Sequence, residues 1–336
     1  MKIVVDAFGG DNAPLEIIKG AILAQQKFNI DICLTGSESI IKKVAKENNL
    51  DISNFSIVDT PDVIPVDQTP NDIMKEYSNS SMALGLKMVA NDEADGFISA
   101  GNSGALCVGG TLMVKRLKGV KLPGFAPLLP TMNGKMFMII YGGANLDARP
   151  EILRQFGVLG SLYMENVMKI SSPRVALANV GTESHKGGDL QREAYALLKD
   201  SPINFIGNVE SREISEGACD VYVCDGFTGN LILKNYEGVA KSVSKAVVNI
   251  FKKNIITKIG ALFVYKDLMK FKESMNADIY GGAPILGIKK PVFKAHGSSN
   301  ANAIFHAIRI MIDYINANVP QKIEESFNKI KEQQNG

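Results

Sequence analysis

The sequence predicts a three-layer α/β/α fold built on a mostly parallel sheet, and three observations carry that expectation. Short β-branched runs recur along the chain, each followed by a Gly- or Asn-bearing loop and then a helical pattern, the order in which parallel βαβ units are written. Runs such as FMII and VALAN are apolar without alternation, as strands covered on both faces are. The 46% hydrophobic and 21% charged content of the 336 residues suffices for a sizeable buried core.

Taken in order, KIVVDAFGGDNAPLEIIKGAILAQQ opens the series. An apolar strand ends at Asp6, and a loop through Gly9 and Gly10 leads into a helix. DICLTGSESIIKKVAKENN repeats the pattern, with Ser37 as the expected N-cap of a Lys-rich helix. TPDVIPVDQTP (60–70) carries prolines too densely for regular helix and is read as an irregular connection. DGFISAGNSGALCVGGTLMVKRL, MFMIIYGGANLDARPEILRQFGVLGSLYMENV, RVALANVGTESHKGGDLQREAYALLKD and VYVCDGFTGNLILK supply four further strand–loop–helix units.

From Glu237 to Met275 there is no strand signal and no proline. Val239, Val243, Val247, Ile250 and Phe251 form a stripe at helical spacing, faced by Lys241, Lys245, Lys252 and Lys253, and Gly260 is expected to divide two helices. Such a pair packs on the core or on a second subunit, or it touches an anionic membrane surface; composition leaves both open. The tail VPQKIEESFNKIKEQQNG reads as a surface helix with a frayed end. No Pro/Gly/Ser-rich linker divides the chain, so one domain over 1–336 is expected, with 237–275 as a helical segment within it.

The composition excludes several classes. A net charge of +2 and the lack of any Lys/Arg-interleaved aromatic stretch argue against nucleic-acid binding. No window approaches the apolar length of a membrane span, and MKIVVDAFGG turns polar at Asp6 too soon for a signal peptide. A cytoplasmic location is expected. Cys33, Cys107, Cys219 and Cys224 form no CxxC pair and lie in apolar runs, as reduced core thiols do; no metal site is expected. No GxGxxG follows a strand, no GxSxG elbow occurs, and Ile288 stands where a Walker A lysine belongs.

The loops carry the chemistry. SAGNSG (99–104), GGAN (142–145), NVGTESHKGG (179–188) and DGFTGN (225–230) all fall at strand-to-helix junctions. On one sheet edge, their glycines would let backbone N–H groups approach a shared anion, phosphate above all. Lys186, in a glycine-bearing loop, has no evident packing role, and a phosphate or carbonyl oxygen would supply one. His296 precedes GSSNANAIF, where Ser298 or Ser299 is expected to cap a helix. His185 is expected to be exposed and His306 structural. Asp6 and Asp225 end apolar strands, either to cap helices or to orient a donor. Lys115, Arg116, Lys118 and Lys121 form either a solvated basic face or a landing patch for an acidic partner.

VVDAFGGDNAP, SAGNSGAL, GAN-D-RPE, NVGTE--KG, NFIGNVE, DGFTGN, YGGAPILG and KAHGSS-ANA follow one another across nearly the whole chain. In this order they resemble the bacterial phosphate acyltransferases of phospholipid synthesis, the PlsX family. The resemblance implies a fold like that of the isocitrate/isopropylmalate dehydrogenases and phosphotransacetylases, usually as a homodimer and without a cofactor. It implies attack of inorganic phosphate on a long-chain acyl thioester of acyl carrier protein. The acyl-phosphate product passes to a membrane glycerol-3-phosphate acyltransferase, which would favour peripheral contact with the membrane. Matched residue by residue, it implies Lys186, Asp225 and His296 as catalytic. It assigns Asp6, Gly9, Gly10, Asn102, Ser103, Gly104, Asn145, Asn179, Gly181, Thr182, Gly226, Gly229 and Asn230 to substrate and phosphate. The sequence departs from the family pattern at Tyr141, where an Asp is usual, at Phe8, where Met is usual, and around SHKGG, usually KKGN. A short-chain phosphotransacylase acting on acyl-CoA is the alternative with the same chemistry.

Overall fold

A computed structural model of the chain describes residues 1–143, 148–274 and 282–335. Its first half runs β1 (Lys2–Asp6), α1 (Leu15–Phe28), β2 (Asp31–Gly36), α2 (Glu38–Glu47), β3 (Ser56–Asp59), α3 (Ser81–Ala90), β4 (Gly96–Ser99), α4 (Ser103–Gly109), β5 (Gly124–Phe125), β6 (Leu128–Pro130) and β7 (Met136–Ile140). Then follow α5 (Pro150–Asn166), β8 (Arg174–Asn179), α6 (Asp189–Lys199), β9 (Asn204–Glu210), β10 (Val221–Val223), α7 (Gly226–Lys252), α8 (Ile255–Ser274), β11 (Ala283–Leu286), β12 (Val292–Lys294), α9 (Ala301–Asn316) and α10 (Val319–Asn335).

The strands form two sheets rather than one. The first has seven strands in the order β3-β2-β1-β4-β12-β11-β5, and the second has five in the order β6-β7-β10-β8-β9. Neighbours are parallel except where β11 meets β12 and β5, and where β6 meets β7. A backbone pair stitches the sheets together: Phe125 N–H donates to Tyr141 O at 2.8 Å, and Tyr141 N–H returns to Phe125 O at 3.1 Å. Short β5 is therefore a seam, and the sequence offers no sign of it beyond a two-residue strand.

Alternation along the strands builds the three layers. Ile3, Val5, Ile98, Phe293, Met138 and Val221 point to one face, where residues of α1, α5 and α9 cover them. Val4, Phe97, Val292, Phe137, Ile139 and Tyr222 point to the other, against residues of α3, α4 and α7. Each core draws on both sheets, and burying each large side chain contributes about 2 kcal/mol, so the two faces hold the halves together. The approach is close where α1 crosses the start of α9: a Cβ on Gly20 would lie 2.5 Å from Ala301 O.

The helical segment differs from expectation. Helix α7 begins at Gly226, and its buried residues are Gly226, Gly229 and Leu233, so only its first turns pack on the body. At about 1.5 Å per residue its remainder extends well beyond that contact. The break to α8 falls at Lys253–Asn254 rather than at Gly260. There Asn254 Oδ1 accepts from Thr257 N–H at 2.9 Å and Thr257 Oγ1 accepts from Asn254 N–H at 3.1 Å, a reciprocal cap. Gly260 continues inside α8 with open space around it. The 60–69 stretch is irregular as expected, and a short 3₁₀ turn follows over Pro70–Met74.

Candidate active site

The carboxyl ends of the parallel strands bear the loops, and a cavity of about 610 Å³ opens where the two sheets meet. That size falls within the range of small-molecule sites. One wall is apolar, from Phe125, Leu129, Tyr141, Leu233 and Tyr236. The other end is polar and cationic, with Asn230, Lys234, Glu237, Lys294 and His296.

The loop after β10 explains its own composition. Asp225 caps α7: Oδ1 accepts from Thr228 N–H at 2.8 Å and Oδ2 from the Thr228 hydroxyl at 2.7 Å. Both carboxylate oxygens are thereby engaged, and the cap sets the pitch that carries Asn230, Leu233, Lys234 and Glu237 into the cavity wall. Gly229 has no room for a side chain, since a Cβ would stand 2.6 Å from Tyr141 Cβ and Cγ. Tyr141 itself is buried edge-on to Phe125, ring centroids 5.5 Å apart, so the usual acid of the family pattern is replaced here by apolar wall. Burial pushes its hydroxyl pKa well up.

His296 is held by its own loop. Ser298 N–H donates to His296 Nδ1 at 3.2 Å, and the Ser298 hydroxyl lies 2.9 Å from the same nitrogen. A nitrogen that accepts a backbone N–H carries no proton, so in the neutral ring the proton is on Nε2. Nε2 stands 3.8 Å from Glu237 Oε2, and Lys234 Nζ contacts that same oxygen at 2.9 Å. Burial works to raise the Glu237 pKa, but His296 and Lys234 together outweigh it and hold the carboxyl below its ordinary value. His296 therefore presents a donor, not a base, toward the cavity. Helix α9 is capped by Asn300, whose Oδ1 accepts from Ala303 N–H at 2.9 Å, and not by Ser298 or Ser299; Ser298 serves the histidine instead.

The DAFGGDN loop braces this arrangement from behind. Asp6 is buried and accepts from the Ser99 hydroxyl at 2.6 Å, the Ser81 hydroxyl at 2.7 Å and Phe8 N–H at 3.2 Å. Its burial raises the carboxyl pKa against those hydrogen bonds. A Cβ on Gly9 would come within 2.7 Å of Gly101 N, and one on Gly10 within 2.7 Å of Gly297 O. Asp11 N–H donates to Gly297 O at 2.7 Å, and Asn12 Nδ2 reaches Ser298 O and Ser299 O at 3.0 and 3.2 Å. The first loop thus fixes the His296 loop across the sheet edge.

Of the residues selected from sequence, Ser103, Gly104, Asn230 and His296 line the cavity. Asn102 is buried behind them. Its Oδ1 accepts from Ala105 N–H as the α4 cap, and its Nδ2 donates to Pro65, Val66 and Gln68 carbonyls at 3.2, 3.0 and 2.9 Å. Its amide hydrogens are engaged by the 60–69 connection, which it thereby positions. Asp6, Gly9, Gly10, Asp225, Gly226 and Gly229 support the walls without lining them.

The 179–188 loop stands apart. Asn179 Oδ1 accepts from Val180 N–H at 2.8 Å and its Nδ2 donates to Lys186 O at 3.1 Å, closing the loop on itself. Gly181 is buried in that fold, while Thr182, His185 and Lys186 are exposed and outside the cavity lining. Asn145 lies outside the described residues. Sequence reading missed Lys234, Glu237 and Lys294. Lys294 was within reach, as a lysine closing the apolar strand VFK beside the strand that ends at Ser99. Among the described residues no group of His, Cys, Asp and Glu is arranged to hold a metal ion, and no helix is long and apolar enough to cross a membrane.

Comparison with known proteins gives consistent likenesses. The family described as fatty acid synthesis protein matches residues 1–322. A phosphate acyltransferase of Thermoanaerobacterium thermosaccharolyticum is 42% identical over 330 residues, covering 98% of each chain. One of Bacillus pumilus is 44% identical over 330 residues, also 98% of each. Among solved structures, a phosphotransacetylase from Streptococcus pyogenes aligns at a TM-score of 0.60 with 14% identity over 94% of each chain. A 4-hydroxythreonine-4-phosphate dehydrogenase from Klebsiella pneumoniae aligns at 0.54 with 11% identity over 94% of this chain and 99% of that one. These two likenesses concern the fold, and they agree with a dehydrogenase-like three-layer α/β/α architecture.

Proposed function

Since the chain belongs to the fatty acid synthesis protein family and is a phosphate acyltransferase like its relatives, we propose that it transfers a long-chain acyl group from acyl carrier protein to inorganic phosphate, for phospholipid synthesis. The observation that carries this reading is one cavity with an apolar wall and a cationic end. An acyl chain fits against Phe125, Leu129, Leu233 and Tyr236, and its thioester carbonyl then meets the charged end.

A phosphate oxygen attacks the thioester carbonyl carbon, and the tetrahedral oxyanion collapses with cleavage of the C–S bond. The proton initially on phosphate leaves with the thiol, so acyl-phosphate and free carrier thiol result. Phosphate is already an anion near neutral pH, so the protein's task is placement and oxyanion stabilisation. The Nε2–H of His296 is the donor to the developing oxyanion, Asn230 donates to phosphate, and Asp225 holds α7 so that both meet. Purified protein given phosphate with palmitoyl-carrier protein or acyl-CoA, and followed by thiol release, tests this. Phosphate-dependent release from the carrier thioester is expected. Release from short acyl-CoA alone favours the short-chain alternative, and none from either removes the reading.

The exposed hairpin fits delivery to a membrane acyltransferase. Ile255, Ile256, Leu262 and Phe263 are all more than 70% exposed on α8, an apolar surface suited to contact with a bilayer. The exposed Val239, Val243 and Ile250 on α7 offer a face to a second copy in a homodimer. Replacing Ile255, Ile259 and Phe263 by Glu should abolish co-sedimentation with anionic vesicles; unchanged binding would remove the membrane contact.

A further inference from the structure

Resting on the transfer reading above, we propose that Lys294 is a further substrate-contacting residue, whose ammonium at the inner end of the cavity anchors a phosphate oxygen of the attacking anion. Lys294 closes β12 and is 7% exposed, yet it lines the cavity. Its Nζ donates to Ala100 O at 3.0 Å and to Ala295 O. Two of its three N–H groups are thereby used, and among the described residues no acceptor takes the third, which a ligand can use.

Charge decides the matter. Among the described ion pairs none includes Lys294, whereas Lys234 and His296 share Glu237. Asp6 on β1 is committed to Ser81 and Ser99, and Asp6 and the following Asp11 act on Lys294 only through longer-range attraction. Lys234 on α7 repels it and Cys107 on α4 attracts it. A buried cation without a paired anion is unfavourable, and a bound anion would complete it. Burial, with Lys234 second, pulls its pKa down to about 8, so the charge is present at neutral pH and lost in mild alkali. A phosphate could come from two sources, free phosphate or the phosphopantetheine arm of the acyl donor, and the measurements below separate them.

Lys294→Gln keeps donors for the two carbonyls but removes the charge, and Lys294→Arg keeps the charge. With both proteins folded by circular dichroism, Lys294→Gln should raise the KM for phosphate by about tenfold or more, the loss of one charged hydrogen bond. The KM for acyl donor should move far less, and Lys294→Arg should restore phosphate use in part. The wild-type KM for phosphate should climb as pH passes about 8, and that climb should vanish in Lys294→Gln. A rise confined to the acyl-donor KM, or an unchanged phosphate KM, overturns the proposal. Calorimetric titration with inorganic phosphate alone decides Lys294 independently of turnover. Weaker binding by Lys294→Gln supports it, while equal binding, or none by the wild type, overturns it. Absence of thiol release by a wild type that binds phosphate would instead count against the transfer reading.

Discussion

The burden of the Lys294 charge has a consequence for stability that can be read without substrate. Its pKa falls from an ordinary 10.5 to about 8 on folding, chiefly through burial. At 1.36 kcal/mol for each pH unit, that fall corresponds to roughly 3 kcal/mol. Below about pH 8 both folded and unfolded chains hold the proton, and the folded state bears the full cost of the buried ammonium. Between about 8 and 10.5 the unfolded chain keeps a proton that the folded one has released, so this contribution makes stability rise with pH. The neutral variant Lys294→Gln lacks that term. Its stability relative to wild type should be about 3 kcal/mol more favourable near pH 7 than near pH 10.5. Urea unfolding of both proteins across that range measures the difference. Other alkaline effects, such as ionisation of Cys219, whose pKa is raised by burial to about 12, act on both proteins and cancel. A difference that stays constant with pH would refute the buried, uncompensated charge.

Four further outcomes follow from the site. His296→Ala should lower turnover by about a hundredfold, as for loss of one oxyanion donor, while thermal unfolding barely moves; Lys186→Ala, exposed and outside the cavity, should lower it less than tenfold. A larger Lys186 effect in steady-state assays would move the phosphate contact to the 179–188 loop. Asp225→Ala removes the α7 cap and should cost about 1 kcal/mol in urea unfolding, with Asp225→Asn losing less. Gly229→Ala, forced against Tyr141, should destabilise by about 1–3 kcal/mol and raise the KM for acyl donor; an unchanged KM would separate that wall from the acyl chain.

The fold was legible where local pattern and tertiary structure agree. The strand–loop–helix grammar locates the β1–β4 and β7–β10 units because apolar strands and Gly-bearing loops are local signals. The division into two sheets was not legible, since it depends on the two-residue β5 and a single backbone pair between Phe125 and Tyr141. Gly260 misled because a glycine is tolerated inside an exposed helix, whereas the Asn254–Thr257 cap is the stronger stop. In the cavity wall, His296 and Asn230 stand on loops that the sequence singles out by their composition. The bracing role of Asn102 was not legible, because an asparagine's partners, here three carbonyls 34 to 37 residues away, are invisible in sequence. Lys294 was passed over because burial of a lysine is a tertiary fact, and Lys234 and Glu237 because they lie on a helix read for its apolar stripe.

In the proposed transfer, phosphate itself attacks the acyl thioester in this cavity. Heavy-oxygen-labelled phosphate incubated with the protein and palmitoyl-carrier protein, followed by phosphorus NMR and mass spectrometry, tests it directly. An acyl-phosphate with labelled oxygen bridging carbonyl carbon and phosphorus is the expected product. Free fatty acid carrying solvent oxygen, with no labelled acyl-phosphate, would contradict it.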